Sequence, residues 1–523
     1  MKIPFSTFLL TAMAFSAIAQ NQVPVISNLS LQVQQANSKV VITYNLADAE
    51  NNNSEVTLLL SNDGGQNYTA SAGTITGDVG ANIQPGNNKQ IKWNYDTVSN
   101  VYAYSIRLVA DDKQLPDIQD IVDAVDSVRL RNDLLNIQGV RHYSANPTHL
   151  EEVKDTIESR FTNAGLQTSR HQFTRTGTSY PGENIIGRKP GLGEEEAVFI
   201  IDAHFDSVDD APGADDNGSG VVGFLEALRV LAPYNFNKTI KFIGFDYEES
   251  VGVTGGIYGS REYVQTQLST WETIEGVANF EMIGYYSEQP NSQQIPTGFS
   301  TLFPAQHAVV AADSFRGNFI TNVGDEESDL FNAAYDSLAN IYVPDLKVIS
   351  LILPINGNIA PDFRRSDHAN FWDADVPALM LTDGANFRNV YYHTPADSVG
   401  KLNFTFMSNV VKATVATIAT LAEIQHSSYV DADVMPSGIL QNNANCDIEI
   451  FPVSVKNILT IKTGDCFKNN FTLNLINAEG KTIITKEESE NKTQLDFSDL
   501  PCGIYYLILH NGATRAVKKV IAG

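Results

Sequence analysis

Between Asp202 and Gly220 the chain reads DAHFDSVDDAPGADDNGSG, one histidine and six aspartates in nineteen positions. His204 and Asp206 follow directly on the apolar run AVFIIDA, and Asp216 comes twelve residues after the histidine, inside GADDNGSG. Further along, TIKFIGF leads into the adjacent pair Glu248 and Glu249, GVANF leads into Glu281, and His393 sits in VYYHTPADS. Two histidines with several carboxylates offer the nitrogen and oxygen donors that zinc takes at about 2.0–2.2 Å. Two such ions about 3.5–4 Å apart can share one bridging carboxylate and a water between them. A His-x-Asp or a Glu-Glu pair taken alone is weak, because adjacent acids usually form a solvated face. The joint occurrence of these residues at four strand ends is what points to a metal centre.

These residues need a scaffold that brings strand ends together. The segments AVFIIDAH, GVVGFLEALRVL, TIKFIGFDY, GVANFEMIGY and VPALMLTDG alternate strand-like apolar runs with a helix-like pattern. They follow two segments with helical spacing, DIQDIVDAVDSVRLRNDLLNI and HLEEVKDTIESRFTNAGL. Such alternation over roughly 300 residues predicts an α/β domain with a mostly parallel central sheet flanked by helices. We place it at residues 115–428. In sheets of this kind sites form where loops leave the carboxyl ends of strands. Gly213, Gly218 and Gly220 permit tight turns around Asp216, just ahead of the helix-like run.

The flanking texture differs. Residues 22–112 carry short β-rich runs (KVVITYNL, EVTLLLSNDG, KQIKWNY, AYSIRLVADD) broken by turn residues, which predicts an N-terminal β-sandwich of immunoglobulin or fibronectin type. After the helix-like SNVVKATVATIATLAEI, residues 440–523 alternate in strands and predict a compact C-terminal all-β domain.

Residues 1–20 have Lys2, an apolar run and the small-x-small triplet Ala17-Ile18-Ala19, the layout of a secretory signal peptide. No later segment offers about 20 uninterrupted apolar residues, so no membrane span is expected. No cysteine follows the cleavage region, which argues against a lipid anchor. With 35 basic and 61 acidic residues the formal charge is −26, which argues against nucleic acid or an anionic membrane as partner. The three cysteines, Cys446, Cys466 and Cys502, all lie in the last eighty residues. One pair can bridge in an oxidising compartment, and none takes part in metal chemistry carried by histidines and carboxylates.

The ordered series AHFDS, PGADDNGSG, FDYEES, NFEMIGY, RRSDHANFW and YYHTPADS resembles the di-zinc exopeptidases of metallopeptidase family 28 over about Asp117 to Ile424. That family includes leucyl aminopeptidases, glutamate carboxypeptidases and glutaminyl cyclases. The resemblance implies that His204 binds one zinc, that Asp206 orients its imidazole, and that Asp216 bridges both ions. It implies that Glu249 and His393 complete the other site and that Glu248 is the general base. Glu281 departs from the aspartate usual in the family, and its longer side chain is expected to reach the same zinc. Tyr392 is a candidate donor to the tetrahedral oxyanion. His368, in RRSDHANFW, is expected to shape the pocket rather than bind metal, and Arg364 and Arg365 are not read as a carboxypeptidase clamp. Asp202, Asp209, Asp210 and Asp215 are expected to be strand-end or solvated loop acids.

The segment GKTIITKEESENKTQLDFSDLPCGIYYLILHNGATRAVKKVI resembles the C-terminal sorting domain of type IX secretion, although the usual Pro-Asn-Pro opening is absent. The whole reading is a secreted zinc aminopeptidase with two Zn2+ per chain. It acts on peptides with a free N-terminus, is exported through the periplasm to the cell surface or medium, and meets the secretion machinery through its tail. Alternatives are carboxypeptidase or glutaminyl cyclase activity on the same scaffold, or a non-catalytic binding or adhesion protein.

Overall fold

A computed structural model describes residues 21–62, 68, 70, 73–95, 101–174, 181–249, 256–269, 271–434, 448–451, 454–463, 467, 471–477, 481–489, 492–498, 500–511 and 515–522. The signal-like segment 1–20, Cys446 and Cys466 lie outside the described residues; Cys502 is exposed. The chain divides into two compact units, Leu115–Gln425 and a second made from both chain ends, Met1–Gln114 with His426–Gly523.

The unit Leu115–Gln425 is built on an eight-stranded sheet. Its order is Val348–Leu353, Ile320–Asp325, Ala378–Thr382, Thr273–Glu281, Glu194–His204, Lys238–Phe245, Pro181–Lys189, Gln167–Thr174. The central four strands, from Ala378–Thr382 to Lys238–Phe245, are mutually parallel. The sheet as a whole is mixed, with four parallel and three antiparallel neighbour pairs, so the parallel arrangement expected of it is confined to part of the sheet. The antiparallel pairs have two sources. Gln167–Thr174 and Pro181–Lys189 form an edge pair, and Ile320–Asp325 runs against Ala378–Thr382.

Both faces of the sheet are covered, which is why its central strands read as unbroken apolar runs. Along Glu194–His204 the side chains alternate: Phe199, Ile201 and Ala203 join one core cluster, while Val198 and Ile200 join another. The first cluster receives the helices Ser127–Ile137, Pro147–Asn163, Gly220–Leu231 and Phe404–Leu421. The second receives Tyr263, Phe371 and Trp372 from the helices Tyr258–Thr266 and His368–Trp372. Phe404–Leu421 is the one helix among the described residues long and apolar enough to cross a membrane, and 67% of it is buried inside this core.

In the other unit, two four-stranded sheets share a core of Val40, Ile42, Tyr44, Trp93, Ile106 and Leu108. One strand comes from far along the chain: Ser427–Asp433 pairs antiparallel with Ser105–Asp111. Arg107 fastens it by donating twice to Asp431, at 2.8 and 2.9 Å. The tail forms sheets of three and five strands around Leu459, Ile461, Phe471, Leu473 and Leu507.

Candidate metal centre

Three parallel neighbours end side by side. His204 closes its strand opposite Phe245 of the next strand, whose continuation carries Glu248 and Glu249. On the other side Asp202 is opposite Asn279, two residues before Glu281 closes the strand Thr273–Glu281. Glu281 is in turn opposite Thr382, beyond which the chain leads to His393. Asp216 sits in the turn before the helix Gly220–Leu231. That turn requires a glycine at 213, where φ is 54° and a Cβ would collide with the Asp216 carbonyl.

The structure brings the five candidate ligands into two groups that share Asp216. His204, Asp216 and Glu281 form one, and Asp216, Glu249 and His393 the other, with donor atoms in each group within 4.8 Å of one another. The two carboxylate oxygens of Asp216 face different histidines: Oδ1 lies 3.5 Å from His204 Nε2 and Oδ2 lies 3.0 Å from His393 Nε2. Glu281 Oε2 is 3.4 Å from His204 Nε2, and Glu249 Oε2 is 3.3 Å from His393 Nε2. A tetrahedral zinc with ligands at about 2.0–2.2 Å holds its donors roughly 3.4 Å apart. The spacing therefore matches the edges of two such tetrahedra.

The electrostatics also call for cations. His204 Nε2 and Glu249 Oε1 are buried without a hydrogen-bond partner, a costly state for polar atoms unless something else meets them. Burial, reinforced by Asp216, pushes the Glu249 carboxyl up to about 7. Burial with the nearby Glu281 and Glu249 raises Glu248 well above the ordinary range, despite His204. For His393 burial acts downward but is outweighed by bonding to Asp216 and Glu249, which hold it up at about 10. A cluster of close carboxylates and two imidazoles, with acceptors left over, is a donor set that fits zinc.

Glu248 lies in neither group; its Oε2 is 3.8 Å from His204 Nε2. Asp206 does two things. Its Oδ1 lies 3.4 Å from His204 Nδ1, and its two oxygens accept from the backbone N–H groups of Glu248 at 3.0 Å and Glu249 at 3.1 Å. It therefore ties the histidine to the loop that bears both glutamates. Tyr392 stacks on His393 with centroids 3.8 Å apart, and its hydroxyl accepts from Arg365 Nη2 at 2.9 Å. Arg364 is engaged with Asp373. His368 is buried, donates from Nε2 to the Phe363 carbonyl at 2.9 Å, and is pushed down to about 3 by burial. It belongs to neither metal group.

Of the four aspartates expected to be strand-end or solvated loop acids, Asp202 lies near the end of its strand, and both it and Asp215 are buried. Asp202 is fully buried and accepts from Asn279 Nδ2 at 2.7 Å. Asp215 is also fully buried, accepting from Gly284 N and Asn389 Nδ2. Asp209 and Asp210 are exposed as expected. The burial of both has one cause: each acid meets partners from a neighbouring segment that linear sequence does not reveal.

Other residues that build the site carry little sequence signal. Arg141 is fully buried and donates to the carbonyls of Ile137, Gly139, Phe205, Pro212 and Gly213, pinning the loop between His204 and Asp216. Asp397 accepts from the backbone N–H groups of Asp215 and Asp216. Its place four residues after His393 is the one hint the sequence offers. Beside the centre lies a pocket bordered by Glu281, Arg365 and Tyr392, with Phe299, Phe319 and Met380 among its apolar walls.

Residues 184–418 match the model of peptidase family M28, and residues 449–522 match the secretion system C-terminal sorting domain. The uncharacterized protein YfbL of Escherichia coli (strain K12) is 31% identical over 283 residues, covering 52% of this chain and 81% of that protein. A probable zinc metalloprotease of Pyrenophora teres f. teres is 25% identical, covering 46% of this chain and 51% of that protein. Aminopeptidase YwaD of Bacillus subtilis is 37% identical over 123 residues, 23% of this chain and 26% of that protein. The chain thus spans about half or less of the two relatives whose names state an activity. The tail indicates export to the cell surface or the extracellular space.

Proposed function

From the premise that the chain belongs to peptidase family M28, and is thus a metallopeptidase, we propose that it is a secreted di-zinc aminopeptidase. The observation that carries this reading is Asp216, which turns one oxygen toward each of two histidine-carboxylate groups. In this reading His204, Asp216 and Glu281 hold one zinc, and Asp216, Glu249 and His393 hold the other. When bound, zinc lowers the pKa of a water toward neutrality and polarises the scissile carbonyl.

The chain's own residues do the rest. Glu248, buried beside the centre and outside both ligand groups, takes the proton from the attacking water and passes it to the leaving nitrogen. Burial raises its carboxyl above the ordinary carboxylate range, the direction that favours holding a proton between the two transfers. The Tyr392 hydroxyl, held by Arg365, donates to the oxyanion that develops on the carbonyl oxygen. The surrounding carboxylates favour a substrate carrying a free α-ammonium group. The apolar walls beyond Glu281 and Tyr392 receive the side chain of the first residue. A signal peptide at residues 1–20 takes the chain to the periplasm, and the type IX tail takes it across the outer membrane.

A panel of aminoacyl-nitroanilides, N-acetylated counterparts and N-terminal glutaminyl peptides tests the activity. Cleavage restricted to free amino ends is expected. Cyclisation of glutaminyl peptides without hydrolysis, or release of C-terminal residues, would replace this reading.

A further inference from the structure

We infer that Asn217 is a positioning residue that fixes Asp216 and Glu281 as a pair and so sets the affinity of the ion held with His204. The inference rests on the two-zinc reading above. Asn217 directly follows Asp216 and is fully buried. Its Nδ2 donates to the Phe280 carbonyl at 2.7 Å, and its Oδ1 accepts from the Met282 N–H at 3.0 Å. Phe280 and Met282 flank Glu281. One side-chain amide therefore bonds on both sides of the ligand residue, as the backbone of an added strand would.

The need for such a partner follows from local geometry. The strand ends at Glu281 and Met282 adopts a left-handed φ of 53°. Toward Ala378–Thr382 the Met282 carbonyl still accepts from Asp383 N at 2.8 Å, but the ladder with Glu194–His204 stops at the pair Asp202–Asn279, before the ligand. The turn 215–219 takes over. Asn217 receives the N–H of Met282, Ser219 Oγ that of Ile283 at 2.9 Å, and Asp215 Oδ1 that of Gly284 at 3.0 Å. Of these three, only Asn217 also reaches the residue before Glu281. The contact is close enough to constrain its surroundings. A Cβ at Gly220 would lie 2.5 Å from Asn217 Oδ1 and 2.8 Å from the Phe280 carbonyl oxygen.

The chemistry selects asparagine. The position needs one donor and one acceptor on a short stem; aspartate only accepts when ionised, and glutamine adds a methylene. Partners that orient metal ligands typically account for about 10- to 100-fold in metal affinity.

The test is zinc stoichiometry and affinity of the purified full chain, measured by elemental analysis and by titration against a competing chelator. N217A is expected to bind its weaker zinc about 10- to 100-fold less tightly. At a chelator level that leaves the wild type with two zincs, it retains one. N217D, which keeps the volume and the acceptor, is expected to fall between them. Asn322→Ala removes a different buried amide, one that bonds Asn332 and Asp336. It is expected to lower the melting temperature and still bind two zincs. N217A and N217D both binding two zincs with wild-type affinity would overturn the inference, as would equal zinc loss in Asn322→Ala. A wild type that binds fewer than two zincs would instead remove the two-zinc reading, and the inference with it.

Discussion

Glu248→Gln separates proton transfer from metal binding. The substitution preserves volume at a buried position, 8% exposed, and removes only the charge and the basic oxygen. Glu248 is not a member of either donor group, and its Oε2 stays 3.8 Å from His204 Nε2, a proposed ligand atom. Both zinc sites are therefore expected to stay intact. Positioned general bases contribute about 10²- to 10⁴-fold, which corresponds to about 2.7–5.4 kcal/mol of barrier at 1.36 kcal/mol per tenfold. We expect kcat for leucyl-nitroanilide to fall by that factor, with KM within about threefold of wild type because ground-state contacts are unchanged. Burial, together with Glu281 and Glu249, disfavours the charged form of Glu248. In the zinc-free protein the neutral amide should accordingly leave the melting temperature equal or slightly higher. The assay is steady-state kinetics on samples whose zinc content has been measured. A kcat within about threefold of wild type would refute the role of Glu248. Loss of zinc in step with activity would show that it is a ligand.

Two further outcomes follow from other parts of the molecule. Ile349 is half-buried in the wall of the pocket beside Glu281; Ile349→Trp is expected to lower kcat/KM for leucyl and phenylalanyl substrates by about 10-fold or more, the scale of one buried apolar side chain, while alanyl substrate changes little, and equal losses on all three would exclude this pocket. Because Ser427–Asp433 completes a sheet of the N-terminal β-sandwich by pairing with Ser105–Asp111, a chain ending at residue 434 is expected to melt as the full chain's sandwich does. One ending at residue 425 exposes the edge of Ser105–Asp111 and should melt earlier and associate, with scanning calorimetry and light scattering as readouts.

Three of the five candidate ligands are legible in the sequence because each follows an apolar run, and such runs end at one edge of a parallel sheet centre; Asp216 and His393 lie in loops farther from a strand end. His204, Glu249 and Glu281 sit at or just beyond the ends of adjacent strands for that reason. What sequence does not show is which partners lie across the fold. Asp202 looks like any strand-end acid until Asn279 of the neighbouring strand is placed beside it. Asp215 differs from its neighbour Asp216 only in turning toward Gly284 and Asn389 instead of the histidines. The sense of Ile320–Asp325 is likewise hidden, since its antiparallel partner, Ala378–Thr382, is separated from it by helices and another strand. SSYVDAD does not stand out as a strand because it is short and polar, and its partner lies some three hundred residues earlier in the chain.

The most direct test is a crystal structure of the zinc-loaded protein with anomalous data collected at the zinc edge. Two peaks about 3.5–4 Å apart, one on each side of Asp216 with His204 and Glu281 at one and Glu249 and His393 at the other, are the expected result. A single peak, or two peaks that do not share Asp216, would contradict the di-zinc centre.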